Sequence, residues 1–240
     1  DAMHAYHDAS SPAEASRVLP PSRIADGHAT WAVLIAPYLQ KDALLGSWEF
    51  ERPYIAQADN VRESRMITMF CPARRRTETL SQAGDRDADG KHYAGGLGDF
   101  ATVAGDGSKE PGDNGAIVPA VNVKMKGDRV LQWQSQTGFA SLERGVEYAF
   151  LAGEKQVSSS SLGDAEAGDG SIFNGGQSAS FARYAGVGFP LVGDVELVNK
   201  SRFGSWHHGV CHFLFADTSV RAMTPSTSEF VLGTFARRGK

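Results

Sequence analysis

Asp85, Asp87 and Asp89 occupy every second position and run into Gly90, the opening half of an EF-hand calcium loop. Alternate spacing lets carboxylate oxygens converge on one hard cation, and the glycine permits the turn that brings the next carbonyl inward. The bidentate Glu of such a loop is missing, because Gly96 holds its place, and Asp99 would substitute only in a loop of different shape. Two readings stand: a calcium ion that orders this segment, or an acidic run that is merely solvated. A second set gathers near the end of the chain, where His207, His208, His212 and Asp217 offer a metal site or an acid–base pair. If residues 212–216 form a strand, His212 and Asp217 point to opposite faces and make poor co-ligands. His207 is then expected to be structural, donating to a backbone carbonyl or to Asp217 and pinning its loop to the hairpin that follows. Cys71 and Cys211 permit one disulfide or two buried thiols. Two cysteines alone cannot complete a tetrahedral zinc site, and neither sits in a C-x-x-C pair.

No nucleophile motif stands out. There is no G-x-S-x-G, Gly204–Ser205 lacks a partner set, and the glycine-rich stretches do not follow a strand and open a helix in the dinucleotide pattern. A chain of 240 residues can bury a substantial core, and one domain over residues 1–240 is expected. The formal charge is −4, and the one dense basic cluster, Arg74–Arg75–Arg76, reads as a solvated loop, so nucleic acid is not an expected partner. No apolar run approaches the roughly eighteen residues of a membrane span, and no signal peptide opens the chain.

The elements that must position these groups follow from periodicity. Residues 1–8 read as the end of a helix, and Ser10 to Asp26 as a loop. Trp31, Leu34, Ile35, Tyr38 and Leu39 recur at helical spacing and place one apolar face on the core, with Pro37 suited to the first turn of a second helix. Ala56–Arg65 suggests a short polar helix and Met66–Cys71 a strand. Residues 77–115 form an acidic, glycine-rich segment with few apolar anchors, which is expected to be functional or tied down by something other than core burial. Ile117–Val123, Val130–Gln134 and Glu147–Leu151 read as strands. Residues 158–176 read as a flexible surface loop, and Phe230–Leu232 as a short helix or strand.

Residues 203–224 are a loop followed by a β-hairpin. Folding back at Asp217–Thr218 sets Phe215 opposite Val220 and Phe213 opposite Ala222. Thr218 is awkward in a two-residue turn, which needs positive φ, so a longer turn through Ser219 is the alternative. The expected fold class is α+β, an N-terminal helical stub packed on an antiparallel, loop-rich β head.

Ser205-x-His207, Gly209, Phe213-Leu214-Phe215-Ala216-Asp217 and Ser219-Val220 resemble the C-terminal signature of a large bacterial family of prepilin-like proteins, S-x-H-x-G-G-x-x-F-x-F-A-D-G-S-V. Val210 stands at the family's second Gly and Thr218 at the Gly after Asp. Further likenesses span most of the chain. Met3–Asp8 resembles the end of the family's long N-terminal helix, Trp31–Leu39 its S-W-x-V-L-L-L-P-Y-L, Phe70-Cys71-Pro72 its F-x-C-P-S, and Leu97–Ala101 its L-G-D-Y-A. Residues 139–154 resemble its I-x-D-G-x-S-N-T-L-L-V-G-E. The resemblance implies a pilin-like head whose membrane-inserting helix, carrying the prepilin peptidase site, precedes Asp1, and the closing segment looks cut just short of the family's end. Many family members have a further Cys in that helix, so Cys71 could pair there instead. The implied role is a structural, non-enzymatic subunit, extracellular or in the cell envelope. It would meet copies of itself or other pilin-like subunits through that helix, and the membrane through it alone. A glycan- or small-solute-binding module is the second expectation, because the family also carries a solute-binding label, and a metal-dependent enzyme the third.

Overall fold

Met3 and His7 lie one helical turn apart, and Trp31, Leu34 and Ile35 repeat that spacing. These are the residues that bury the two N-terminal helices, α1 (Ala2–Ala9) and α2 (Trp31–Ile35). A computed structural model describes residues 2–11, 17–39, 46–75, 79–108 and 113–239. Readings that touch Asp1, residues 12–16, Arg76, Thr77, residues 109–112 or Lys240 fall outside that set. Pro37 enters the 3₁₀ turn Ala36–Leu39 that continues α2, where its missing N–H costs nothing. The Trp31 indole donates to the Phe181 carbonyl at 3.0 Å, so the ring is satisfied at both its apolar body and its polar edge.

The strands are β1 (Phe100–Gly105), β2 (Val121–Lys126), β3 (Arg129–Gln134), β4 (Phe150–Glu154), β5 (Ala182–Tyr184), β6 (Cys211–Phe215) and β7 (Val220–Met223). Five form a sheet in the order β5-β1-β4-β6-β7, and β2–β3 stand apart as a hairpin. Within the sheet β1–β5 is parallel and the other pairs are antiparallel. The architecture is α+β, as the pattern predicts, with one parallel pair added.

Alternation along β6 sorts the core into two clusters. Cys211, Phe213 and Phe215 join Phe150, Phe203 and Leu232 on one face, beneath the C-terminal helix α3 (Glu229–Ala236). Leu214 packs with Met3, Trp31 and Leu151 on the other.

Several elements depart from the sequence pattern. Met66–Cys71 is not a strand. Met66 and Met69 are buried while Ile67 is 63% exposed, a spacing of three that suits the observed 3₁₀ turn Ile67–Met69. Ile117 and Val118 are buried outside any strand, with β2 starting at Val121, and Val146–Tyr148 is a 3₁₀ turn before β4. The segment 158–176 is not a mobile surface loop, since Asp169, Ser171, Ile172 and Phe173 are all fully buried.

The hairpin is shifted by one residue from the simple fold-back. Leu214 faces Val220, Phe213 faces Arg221 and Cys211 faces Met223. The cause is the turn. Thr218 N–H donates to Phe215 O at 3.1 Å, and Phe215 N–H to Ser219 O at 2.9 Å, leaving Thr218 in the left-handed region at φ +70°. That is a three-residue turn closed by a bulge. One residue of slip exchanges partners across faces, and the Arg221 guanidinium consequently lies 3.9 Å from the Phe215 ring centroid.

Arg74 and Arg75 are not solvated. Arg74 pairs with Asp99 at 3.0 Å, Arg75 bridges Asp99 (2.7 Å) and Asp169 (2.6 Å), and Lys155 lies 3.2 Å from Asp169. Buried Arg183 donates to the carbonyls of Gly168 and Gln156. Lys155 Nζ donates to Ser180 O, and Arg74 to the carbonyls of Lys155 and Gly204. These cations therefore tie the irregular segments to the sheet where apolar anchors are scarce.

Two outcomes are expected. Asp169→Asn leaves Lys155 and Arg75 short of a counter-charge, and chemical denaturation should show a loss of about 3–5 kcal/mol. Thr218→Gly relieves the left-handed strain of a β-branched residue and should raise stability by about 0.5–1 kcal/mol, read as a higher denaturant midpoint; a lower midpoint would contradict the turn geometry.

Candidate metal centre

Cys71, Glu154 and His207 come from three distant parts of the chain and meet at one end of β6. Their ligand atoms lie within 4.8 Å of one another, and among the described residues this is the one such group of three. His207 Nε2 sits 3.4 Å from Cys71 Sγ and 3.5 Å from Glu154 Oε1. Cys71 and Glu154 are each 2% exposed, whereas the His207 side chain is 37% exposed, so the group is closed on its protein side and open on one.

Each member is held from behind. The Cys71 backbone N–H donates to Asp99 Oδ2 at 2.7 Å, which links it to the buried ion network. Glu154 ends β4, and its Oε2 accepts from the His212 N–H at 2.7 Å and lies 3.0 Å from His212 Nδ1. That leaves Oε1 toward His207. The loop bearing His207 is fixed by Phe203, fully buried, by the Trp206 indole donating to Val157 O at 2.9 Å, and by the His207 N–H donating to Ser205 Oγ at 3.1 Å. Gly209, at φ +71°, supplies the reversal that returns this loop to β6.

Burial pushes the Cys71 thiol up, and the charge of Glu154 adds to the effect. Burial alone would also raise Glu154. The His212 N–H, the Ser205 hydroxyl, the His212 ring and His207 outweigh it and hold the carboxyl below its ordinary value. In the network beneath, desolvation brings Lys155 down to about 8 against the pull of Asp169. The arrangement is not that of an activated nucleophile. A Cys–His–carboxylate relay needs the imidazole to face its two partners with different nitrogens, and here Nε2 faces both.

The sequence-predicted residues are distributed differently from expectation. His207 does not reach Asp217. The strand β6 stands between them, at about 3.3 Å per residue, and Asp217 instead caps its own turn through Ser219 N (2.9 Å) and Arg221 (2.6 Å). His208 is exposed. Asp85, Asp87 and Asp89 do not converge. Asp85 is buried and accepts from Ser171 N–H and the Asn174 amide, whereas Asp87 accepts from Asp89 N–H, Lys91 N–H and the Tyr93 hydroxyl within its own loop. Asp89 stays exposed. Cys71 and Cys211 are both free buried thiols, and Cys211 Sγ lies 3.5 Å from Glu154 O.

Glu154 closes the segment 139–154 that resembles a family motif, but nothing in that motif marks it as a ligand. A further signal is its place directly after the apolar run Phe150–Gly153, where a charge pair Glu154–Lys155 enters the core. Residues 2–229 match the model of the family SBP_bac_10, described as protein of unknown function (DUF1559). The chain belongs to this family. No curated protein and no solved structure matches it. His207 precedes one end of β6 and Asp217 follows the other.

Glu154 and Asp169 both have depressed folded pKa values. Stability from each is therefore complete above the unfolded carboxylate value of about 4.3 or less and lost as pH falls through the lower folded value. Asp85, raised by burial, acts in the opposite sense. The denaturant midpoint should fall below about pH 4, and Glu154→Gln should shallow that acid limb relative to the unaltered chain. An unchanged limb would deny Glu154 its depressed pKa.

Proposed function

We propose that this chain is the displayed head of a pilin-like or pseudopilin-like structural subunit of the cell envelope or an extracellular filament. The observation that carries the reading is the coupling of α1 to the signature hairpin. His4 Nε2 donates to the Ala216 carbonyl in the hairpin turn at 2.7 Å, and Met3 is buried in the core beside Trp31. The His4 and His7 rings also rest on Phe139, at 4.3 and 4.4 Å between centroids. Residues Met3–Asp8 resemble the end of the family's N-terminal helix, so a head clamped in this way would follow the orientation of a longer helix continuous with α1. Partners are then copies of the chain or other subunits joined through that helix, and membrane contact is made by the same segment. Among the described residues no helix is long and apolar enough to cross a membrane.

A second reading, a glycan- or small-solute-binding module, is favoured by a polar cleft of about 890 Å³ flanked by Arg23, Gln136, Gln177, Tyr184 and Lys200. Its lining supplies donors, acceptors and the aromatic residues Phe181 and Tyr184, a set suited to hydroxylated ligands.

Expression of the complete reading frame in its host, followed by envelope fractionation and electron microscopy, tests the first reading. The product should sediment with membranes or filaments, and His4→Ala should lower head stability by about 1 kcal/mol while disordering the array. A complete product that is monomeric and free of both fractions overturns it. Saturable sugar binding lost in Lys200→Ala, without any assembly, would support the cleft instead.

A further inference from the structure

We infer that Cys71, Glu154 and His207 form a binding site for one zinc ion. This goes beyond the display role and does not depend on it. Zinc bonds of about 2.3 Å to sulfur and about 2.0–2.1 Å to nitrogen or oxygen, opened by the tetrahedral angle, separate a sulfur from a nitrogen by about 3.6 Å and a nitrogen from an oxygen by about 3.3 Å. The observed separations are 3.4 Å between Cys71 Sγ and His207 Nε2 and 3.5 Å between His207 Nε2 and Glu154 Oε1. Two edges of a tetrahedral face are already close to their metal-bound lengths, and the third, from the Cys71 sulfur to the Glu154 carboxylate, lies within 4.8 Å.

The orientation points the same way. A single imidazole nitrogen turned toward both a thiol and a carboxylate can hydrogen-bond properly to one of them at a time. A cation placed among the three satisfies all of them together. Glu154 is preset for this, since its other oxygen is taken by the His212 N–H and ring, the kind of support that aims a ligand at its metal.

Ligand chemistry selects the ion. A thiolate disfavours calcium and magnesium, which take oxygen ligands, and a sulfur–nitrogen–oxygen set of this size suits zinc. Three protein ligands with an open side leave the fourth position to water or to an exchanging group, as in catalytic and transfer sites rather than closed structural ones. Binding exchanges the Cys71 thiol proton for the metal and releases that proton to solvent.

The test uses the 240-residue chain, stripped with chelator and titrated with zinc by calorimetry, with cobalt(II) substituted as a spectroscopic probe. One equivalent of zinc should bind, and cobalt should give a thiolate-to-metal charge-transfer band that disappears in Cys71→Ser. His207→Ala and Glu154→Gln should each weaken zinc affinity by at least about tenfold, and His212→Ala, acting through Glu154, by about tenfold or more. His208→Ala, on the exposed neighbour, should bind as the unaltered chain does. If Cys71→Ser or Glu154→Gln fails to fold, the cobalt band of the unaltered chain and the affinity of His207→Ala, altered at a part-exposed position, still decide. Absence of stoichiometric binding, a cobalt spectrum without thiolate character, or unaltered affinity in His207→Ala overturns the site.

Discussion

Asp169 is fully buried and faces two cations at once, Arg75 and Lys155, while its Oδ2 also accepts the Gly163 N–H at 2.7 Å. Around it and Asp99 stand four buried cations, Arg74, Arg75, Lys155 and Arg183. Such charges are costly to desolvate, and the cost is offset by counter-charges and hydrogen bonds, although the Nε atoms of Arg74, Arg75 and Arg183 are buried without a hydrogen-bond partner among the described residues. Here the surplus donors go to backbone carbonyls of Ser180, Gly168, Gln156 and Gly204. The irregular half of the protein is thereby stapled to the sheet by ions as well as by buried apolar side chains such as Ile172 and Phe173. Removing the central carboxylate would leave the staples facing one another as like charges.

The same network sets the geometry at the surface above it. Asp99 holds the Cys71 backbone, Arg74 holds the carbonyls of Lys155 and Gly204, and Glu154 precedes Lys155 at the end of β4. Cys71, Glu154 and His207 are thus each one or a few residues from a buried ionic anchor. A site built on loops is normally imprecise, but these loops are fixed from beneath. The open side of the group lies at His207, where its ring meets solvent.

At the opposite end of β6 the chain solves a different problem. Asp217 and Ser219 close a turn that places a β-branched threonine in the left-handed region, and the carbonyl of Ala216 in that turn receives His4 from α1. The hairpin therefore joins two functions of the fold, support of the N-terminal helix at its turn and support of the ligand cluster at its start. The signature residues His207 and Asp217 sit at these two ends, and the length of β6 sets the spacing between them without any contact.

What the sequence determined by itself was local. The apolar spacing of Trp31, Leu34 and Ile35 specified a helix, because burial on a 3.6-residue period is a property of neighbouring residues. The alternation of Phe213 and Phe215 specified a strand, and the misfit of Thr218 raised a turn longer than two residues as the alternative. The α+β class followed from these. Tertiary structure alone decided the hairpin register, because the bulge that sets it depends on the turn that forms. It also decided the fate of charges. Arg74, Asp99, Lys155 and Asp169 look solvated in any local window, and only partners tens of residues away let them be buried. For the same reason the group at the end of β6 was illegible: Cys71 and His207 are separated by 136 positions, and no periodicity connects residues that meet only when the sheet has closed.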